Sequence, residues 1–129
     1  MDVTECAKML ADLTIDGRKI LQEHLNDFNG ILLHILVEDL VTEPLISLLQ
    51  SHQEKADLIE IYVKAIEDMW KNGNDEAVNV VDVTILERLS DEEDVWQKFG
   101  TYISNEFKNY INEEVLKWNM MMSGVKALG

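Results

Sequence analysis

Two aspartates in similar apolar surroundings are the first residues whose types and spacing could do chemistry. Asp39 stands within "LVEDLV" and Asp82 within "NVVDVT", 43 residues apart. Two carboxylates that face each other across a cleft can act as general acid and base, as in glycoside hydrolysis. A carboxylate among valines and leucines also needs a donor or a cation, which Arg18, Arg88 or helix-start amides can supply. We therefore expect a structural role first, partner contact second and catalysis last.

The remaining reactive side chains could form a metal site or supply a nucleophile. His34 and Glu38 stand four residues apart, the spacing at which one helical face presents two metal ligands. A metal site normally needs a third ligand, and no H-E-x-x-H or paired E-x-x-H motif occurs. Cys6 lies beside Glu5, which raises the pKa of a thiol and weakens it as a nucleophile. We expect no catalytic residue, no metal and no cofactor, and hence no enzyme.

A run of four acids, Asp91 to Asp94, forms the densest charge cluster. At a helix N-terminus these carboxylates are stabilised by the helix dipole without any partner. With Glu87 one turn earlier, they would also attract lysine and arginine side chains and accelerate encounter with a basic protein. The partner-binding residues that we expect are Glu38, Asp39, Asp82, Glu87, Asp91, Glu92 and Asp94.

The overall charge limits the classes of molecule that we expect this protein to bind. Twenty-five acidic and eleven basic side chains give 129 residues a formal net charge of −14. This charge repels nucleic acid and anionic membranes over a Debye length, so we expect no direct binding to either and a basic protein as the partner. A single cysteine suits a reducing compartment, so we expect the cytosol. The start "MDVTEC" lacks the positive charge of a secretory signal, and no apolar stretch approaches the roughly 18 residues of a membrane span.

The elements that must position these residues are predicted to be helices. One proline and six glycines interrupt the chain, and no low-complexity linker divides it, which indicates a single domain over residues 1–129. Apolar spacing predicts about six helices. They cover residues 4–13, 15–28, 31–50 with a kink or restart at Pro44, 54–72, 75–89, and a long C-terminal helix to residue 118.

The segment 79–89, "NVVDVTILERL", is the hardest to assign, because valine, isoleucine and threonine favour strands. Its apolar residues nevertheless fall within about a third of a helical wheel, and no second strand is available to pair with it. Asp75 and Glu76 supply the acids typical of a first helical turn. We therefore predict a buried helix.

The C-terminal helix is expected to hold the core together. Ser90 and Glu93 stand at the spacing of a capping box, and the following apolar stripe contains six of the nine aromatic residues. Trp118 and the methionines at 120–122 form an apolar end to this stripe. We expect them to close the core, with docking of a second subunit as the alternative.

A weak internal repeat is also present. Gly30 and Gly73 each follow an asparagine and lie 43 residues apart, and Asp39 and Asp82 each follow nine residues later. Periods of 40 to 47 residues are typical of helical-hairpin repeats. The pattern predicts two equivalent inner helices that carry the two aspartates at matching depth.

The segments "HILVEDLVTEPLISLL" and "NVVDVTILERLSDEEDVWQKFGTYIS" resemble a family of small, acidic, all-helical bacterial proteins of largely uncharacterised function, some of which occur beside secreted toxins like immunity proteins. The resemblance extends from about Ile31 to Ile103. It implies HEAT-like stacked helical hairpins and a cytosolic inhibitor role.

Together these observations favour an all-α, compact helical bundle that acts by binding. The leading hypothesis is an immunity or inhibitor protein that neutralises a cationic toxin or enzyme by covering its functional surface. One alternative is a DNA mimic that competes for a nucleic-acid-binding protein. The other is a hydrolase that uses Asp39 and Asp82, which requires both carboxylates to line one cleft.

Overall fold

The computed structural model describes residues 1–129 and contains seven helices and no strand. The predicted all-α class is confirmed. In chain order the helices are α1 (Val3–Ala11), α2 (Gly17–Phe28), α3 (33–50), α4 (Ala56–Asn72), α5 (75–89), α6 (Glu93–Gly100) and α7 (105–118), followed by a 3₁₀ turn (Met120–Met122). No helix is both long enough and apolar enough to cross a membrane.

Helices α3, α5 and α7 each contain one widened π turn. These turns are Glu38–Thr42, Val81–Ile85 and Ile111–Val115. In α3 the turn closes with the N–H of Glu43 donating to the carbonyl of Glu38, directly before Pro44, which has no N–H to donate. Helix α3 therefore continues through Pro44, with a π turn where we expected a kink or restart.

The valine-rich segment is the helix that its spacing predicts. Helix α5 begins after Asn74, whose side chain accepts a hydrogen bond from the N–H of Ala77. Val80, Val81 and Ile85 are fully buried between neighbouring helices. The strand propensity of these residues is overridden because their apolar atoms fill the helical core.

The predicted long C-terminal helix is wrong, because residues 101–104 divide it into α6 and α7. Ser104 accepts a hydrogen bond from the N–H of Phe107, and its own N–H and hydroxyl donate to Glu67 on α4. The start of α6 also differs from expectation. Glu92 is its N-cap, while the Ser90 hydroxyl donates to the Glu87 carbonyl instead of forming a capping box.

One contiguous core of 32 buried side chains joins the helices. Trp96, Phe99 and Phe107 are its largest members, so the aromatic residues of the C-terminal region do hold the core together. The last residues of the chain cover α6 and α7. The indole of Trp96 donates to the carbonyl of Lys126 at 2.8 Å, and Leu128 is buried.

The 43-residue repeat is reproduced only in part. The π turns of α3 and α5 begin at Glu38 and Val81, which are also 43 residues apart. The two aspartates that follow lie at different depths, since Asp39 is exposed and Asp82 is half-buried. The prediction of matching depth is therefore wrong, because different elements pack beside the two helices.

Candidate functional site

Asp82 is held on the π turn of α5 by a tyrosine from α7. The Tyr110 hydroxyl donates to its carboxylate, with oxygen–oxygen distances of 2.8 and 3.0 Å. Burial raises the pKa of Asp82, and the hydrogen bond from Tyr110 partly opposes this shift. The donors that we expected were Arg18, Arg88 or the amides of a helix start, but Arg18 binds Asp12, Arg88 binds other acids, and the donor is the Tyr110 hydroxyl. Asp82 forms no ion pair.

Asp82 lies in an open depression of about 590 Å³ between α5, α7 and the 3₁₀ turn, here called the α5–α7 depression. Acidic, amide and apolar side chains share its surface, and none of its lining residues is basic. They are Asn79, Asp82, Val83, Glu87, Tyr110, Glu114, Val115, Trp118, Asn119, Met120 and Met121.

The apolar side chains of this depression are unusually exposed. Trp118, Met120 and Met121 are 72%, 89% and 81% exposed, whereas Met122 is 1% exposed. The side chain of Asn119 accepts a hydrogen bond from the N–H of Met121, which starts the 3₁₀ turn. This turn directs Met122 into the core and leaves its neighbours in solvent. The prediction that this segment closes the core is therefore correct for Met122 only.

A second group of acids surrounds Arg88 on the next part of the surface. The guanidinium lies 3.9 Å from Glu38, 3.5 Å from Glu43 and 3.7 Å from Asp91. Burial raises the pKa of Glu38, and the charge of Arg88 counteracts part of that shift. One cation among three carboxylates leaves the group with excess negative charge.

The two areas are continuous. The depression around Arg88 shares Val83, Glu87 and Met121 with the α5–α7 depression. The structure thus brings four of the expected partner-binding residues onto one surface. They are Glu38, Asp82, Glu87 and Asp91.

The other three expected partner-binding residues lie outside this surface or already form contacts within the fold. Asp39 is exposed in a separate depression beside α2, so it does not share a cleft with Asp82 as the hydrolase alternative requires. Glu92 occupies the N-cap position of α6, and its side chain accepts hydrogen bonds from Gln50. The side chain of Asp94 is exposed and forms neither a hydrogen bond nor an ion pair.

Two of the three histidines have partners within the fold. His34 hydrogen-bonds to the Thr84 hydroxyl and so joins α3 to α5, although sequence spacing paired it with Glu38. His24 is buried, and its Nε2 accepts from the N–H of Leu32 at 2.9 Å. No group of three or more histidine, cysteine, aspartate or glutamate side chains is arranged to hold a metal ion.

Several residues of this surface were not expected from the sequence. Tyr110 was expected only as one aromatic residue of the apolar stripe, and Glu114 carries no local signal because it is one of several acids on its helix. The sequence identified Trp118 and the methionines as an apolar segment but did not predict that it is exposed. The signal that could have indicated exposure is the pair of polar neighbours, Lys117 and Asn119.

Comparison with known proteins identifies a family for this chain, but the function of that family is unknown. No curated protein and no solved structure matches the chain. The family described as a domain of unknown function, DUF7674, matches residues 12–119, which include Asp82, Glu87, Glu114 and Trp118. The chain therefore belongs to the DUF7674 family.

Proposed function

We propose that this protein is a non-catalytic binding module that neutralises a basic protein, such as a toxin or an enzyme, by covering its functional surface. The observation that supports the proposal is the surface defined above, where exposed apolar side chains are surrounded by carboxylates. Trp118, Met120 and Met121 form its centre, and Asp82, Glu87 and Glu114 border them.

The apolar centre would supply affinity. Exposed apolar patches bordered by polar residues are typical of interaction sites, and tryptophan and methionine are enriched at the centres of interfaces. A tryptophan that becomes desolvated in a complex can contribute 2 kcal/mol or more, on the order of a hot-spot residue. This contribution would mainly slow dissociation.

The carboxylates would make binding selective for basic partners and would accelerate association. A net charge of −14 attracts a cationic partner, and the acids around Arg88 extend the negative field beside the apolar centre. Electrostatic complementarity accelerates association and disfavours acidic competitors. The acids form clusters, whereas a DNA mimic needs a regular acidic stripe. We place this activity in the cytosol, in keeping with the single buried cysteine.

Affinity capture with matched variants tests the proposal. The double variant Trp118→Ala/Met121→Ala removes the apolar centre, and Ile15→Ala removes a fully exposed apolar side chain outside it. We expect the wild-type protein and Ile15→Ala to retain the same basic protein at low salt, and the double variant to lose it. The purified captured protein should lose its activity when mixed with equimolar wild-type protein.

Three outcomes would contradict this function. They are an empty eluate at low salt, a captured protein that the double variant retains equally well, and a captured protein whose activity is unchanged in the complex. Circular dichroism of the variants confirms that any loss of binding is not a loss of folding.

A further inference from the structure

Resting on the proposed function, we propose that the α5–α7 depression receives one arginine side chain of the basic partner. Asp82 binds the guanidinium, and the indole of Trp118 provides the face on which it stacks. The general proposal of an acidic surface specifies neither the partner side chain nor the carboxylate that binds it. The arginine site specifies both.

The state of Asp82 is the first reason. It is a half-buried carboxylate without a cationic partner, and Tyr110 is the only side chain that donates to it. A carboxylate offers about four acceptor sites, so one hydroxyl leaves most of them free. Partial burial without a compensating charge is unfavourable, and an incoming guanidinium would relieve it.

The walls of the depression are the second reason. Val83, Trp118 and Met121 present apolar surface that suits the methylene stem of a long basic side chain. Glu87 and Glu114 lie in the same lining and add negative potential at the mouth. Lys117 places its Nζ 5.7 Å from the Trp118 ring centroid but does not line the depression. The lining of the depression itself therefore contains no basic side chain.

The geometry favours arginine over lysine. The guanidinium is planar, stacks on aromatic faces and donates two parallel hydrogen bonds to a carboxylate. It is also more weakly hydrated than an ammonium group, so its transfer into a half-buried site costs less. The hydrogen bond from Tyr110 on α7 already fixes the orientation of Asp82. The carboxylate therefore loses less conformational entropy when it binds the guanidinium.

An NMR titration with three small probes tests the inference. The probes are the N-acetyl, N-methylamide derivatives of arginine, lysine and citrulline, the last being a neutral analogue of arginine. The signals to follow are the indole N–H of Trp118 and the methyl groups of Met120 and Met121. Arginine should produce saturable shifts and bind about threefold more tightly than lysine, because its planar guanidinium stacks on the indole and donates two parallel hydrogen bonds to the carboxylate. Citrulline should produce none.

Two substitutions locate the site. Asp82→Asn should weaken arginine binding about tenfold, the effect of losing one charged hydrogen-bonded contact. Trp118→Ala should weaken it about threefold without disturbing the core, and its effect is followed on the methionine methyl signals. Glu23→Gln, which removes one negative charge from an exposed site outside the depression, should leave the affinity within about twofold because exposed charges are well screened.

The inference is overturned if arginine produces no saturable shift, if lysine binds as tightly as arginine, if citrulline shifts the same signals as strongly, or if Asp82→Asn binds arginine as tightly as the wild type. These outcomes are separate from failure of the proposed function. If a basic protein is captured and inhibited in a manner that needs Trp118 but not Asp82, the function stands and the arginine site fails. If arginine binds as described but no basic protein is captured, the site stands and the function fails.

Discussion

The hydroxyl of Tyr110 on α7 lies 2.8 and 3.0 Å from the two carboxylate oxygens of Asp82 on α5. This contact joins two helices that each contain a π turn, a feature often found at functional sites. It keeps a half-buried carboxylate at the edge of the core with no cation beside it. A carboxylate that is partly buried without a compensating charge lowers the stability of the folded state at neutral pH.

We predict that Asp82→Asn stabilises the protein at neutral pH. Burial raises the pKa of Asp82 in the folded state, so between the unfolded and folded pKa values the folded state holds more protons. The contribution of Asp82 to the free energy of unfolding therefore falls as the pH rises through that window. Asparagine does not ionise, so it avoids this loss, and its side-chain oxygen can still accept the hydrogen bond from Tyr110. Thermal unfolding should show a higher Tm for the variant at pH 7 and a difference that shrinks on acidification.

The control for this comparison is Glu23→Gln, which removes one negative charge at an exposed position in the middle of α2. An equal gain in Tm from both variants would show that net charge, and not the burial of Asp82, causes the effect.

Removing the hydroxyl of Tyr110 should raise the pKa of Asp82 further. In Tyr110→Phe the hydrogen bond that favours the ionised carboxylate is lost, while desolvation remains. Carboxyl carbon NMR titration measures this shift directly. Tyr102→Phe is the matched control, because the Tyr102 hydroxyl binds Glu54 on another surface. An unchanged Asp82 titration in Tyr110→Phe would mean that the contact contributes nothing in solution.

Two adjacent methionines should differ sharply in their effect on stability. Met122→Ala removes a buried side chain and should lower the free energy of unfolding by about 2–5 kcal/mol. Met121→Ala removes an exposed side chain and should change it by no more than about 0.5 kcal/mol. Urea unfolding of both variants provides the measurement. Similar losses would show that Met121 packs against the fold in solution.

Arg88 should act on the titration of its neighbours more than on stability. In Arg88→Gln the pKa of Glu38 should rise, because the charge that favours its ionised form is gone. The free energy of unfolding should fall by about 1 kcal/mol or less, since the ion pairs are long and partly exposed. NMR titration of Glu38 and urea unfolding check the two parts. Arg18→Gln, which breaks the separate pair with Asp12, should leave Glu38 unchanged.

Local signals predicted most of the helices because they depend on neighbours in the chain. Asn29 adopts a left-handed conformation with φ of 52°, which ends α2 at Phe28, the end that the sequence predicted. The spacing of Val81, Ile85 and Leu89 predicted α5 correctly against their strand propensity, since a period of 3.6 residues buries all three on one face.

The division between α6 and α7 was missed for a physical reason. Trp96, Phe99, Ile103 and Phe107 keep a helical phase across residues 101–104, so the apolar pattern carries no sign of the break. The break depends on Ser104, which caps α7 while it binds Glu67 from a helix 37 residues earlier. A contact over that distance in sequence is set by packing and not by local propensity.

The sequence by itself determined the all-helical class, the negative charge and the acids available for recognition, because these follow from composition and local period. Only the tertiary structure decided which acids share a surface, that Tyr110 is the partner of Asp82, and that Trp118 faces solvent. Those relationships join residues from separate helices, and their geometry depends on how the helices pack and on where the 3₁₀ turn directs the chain.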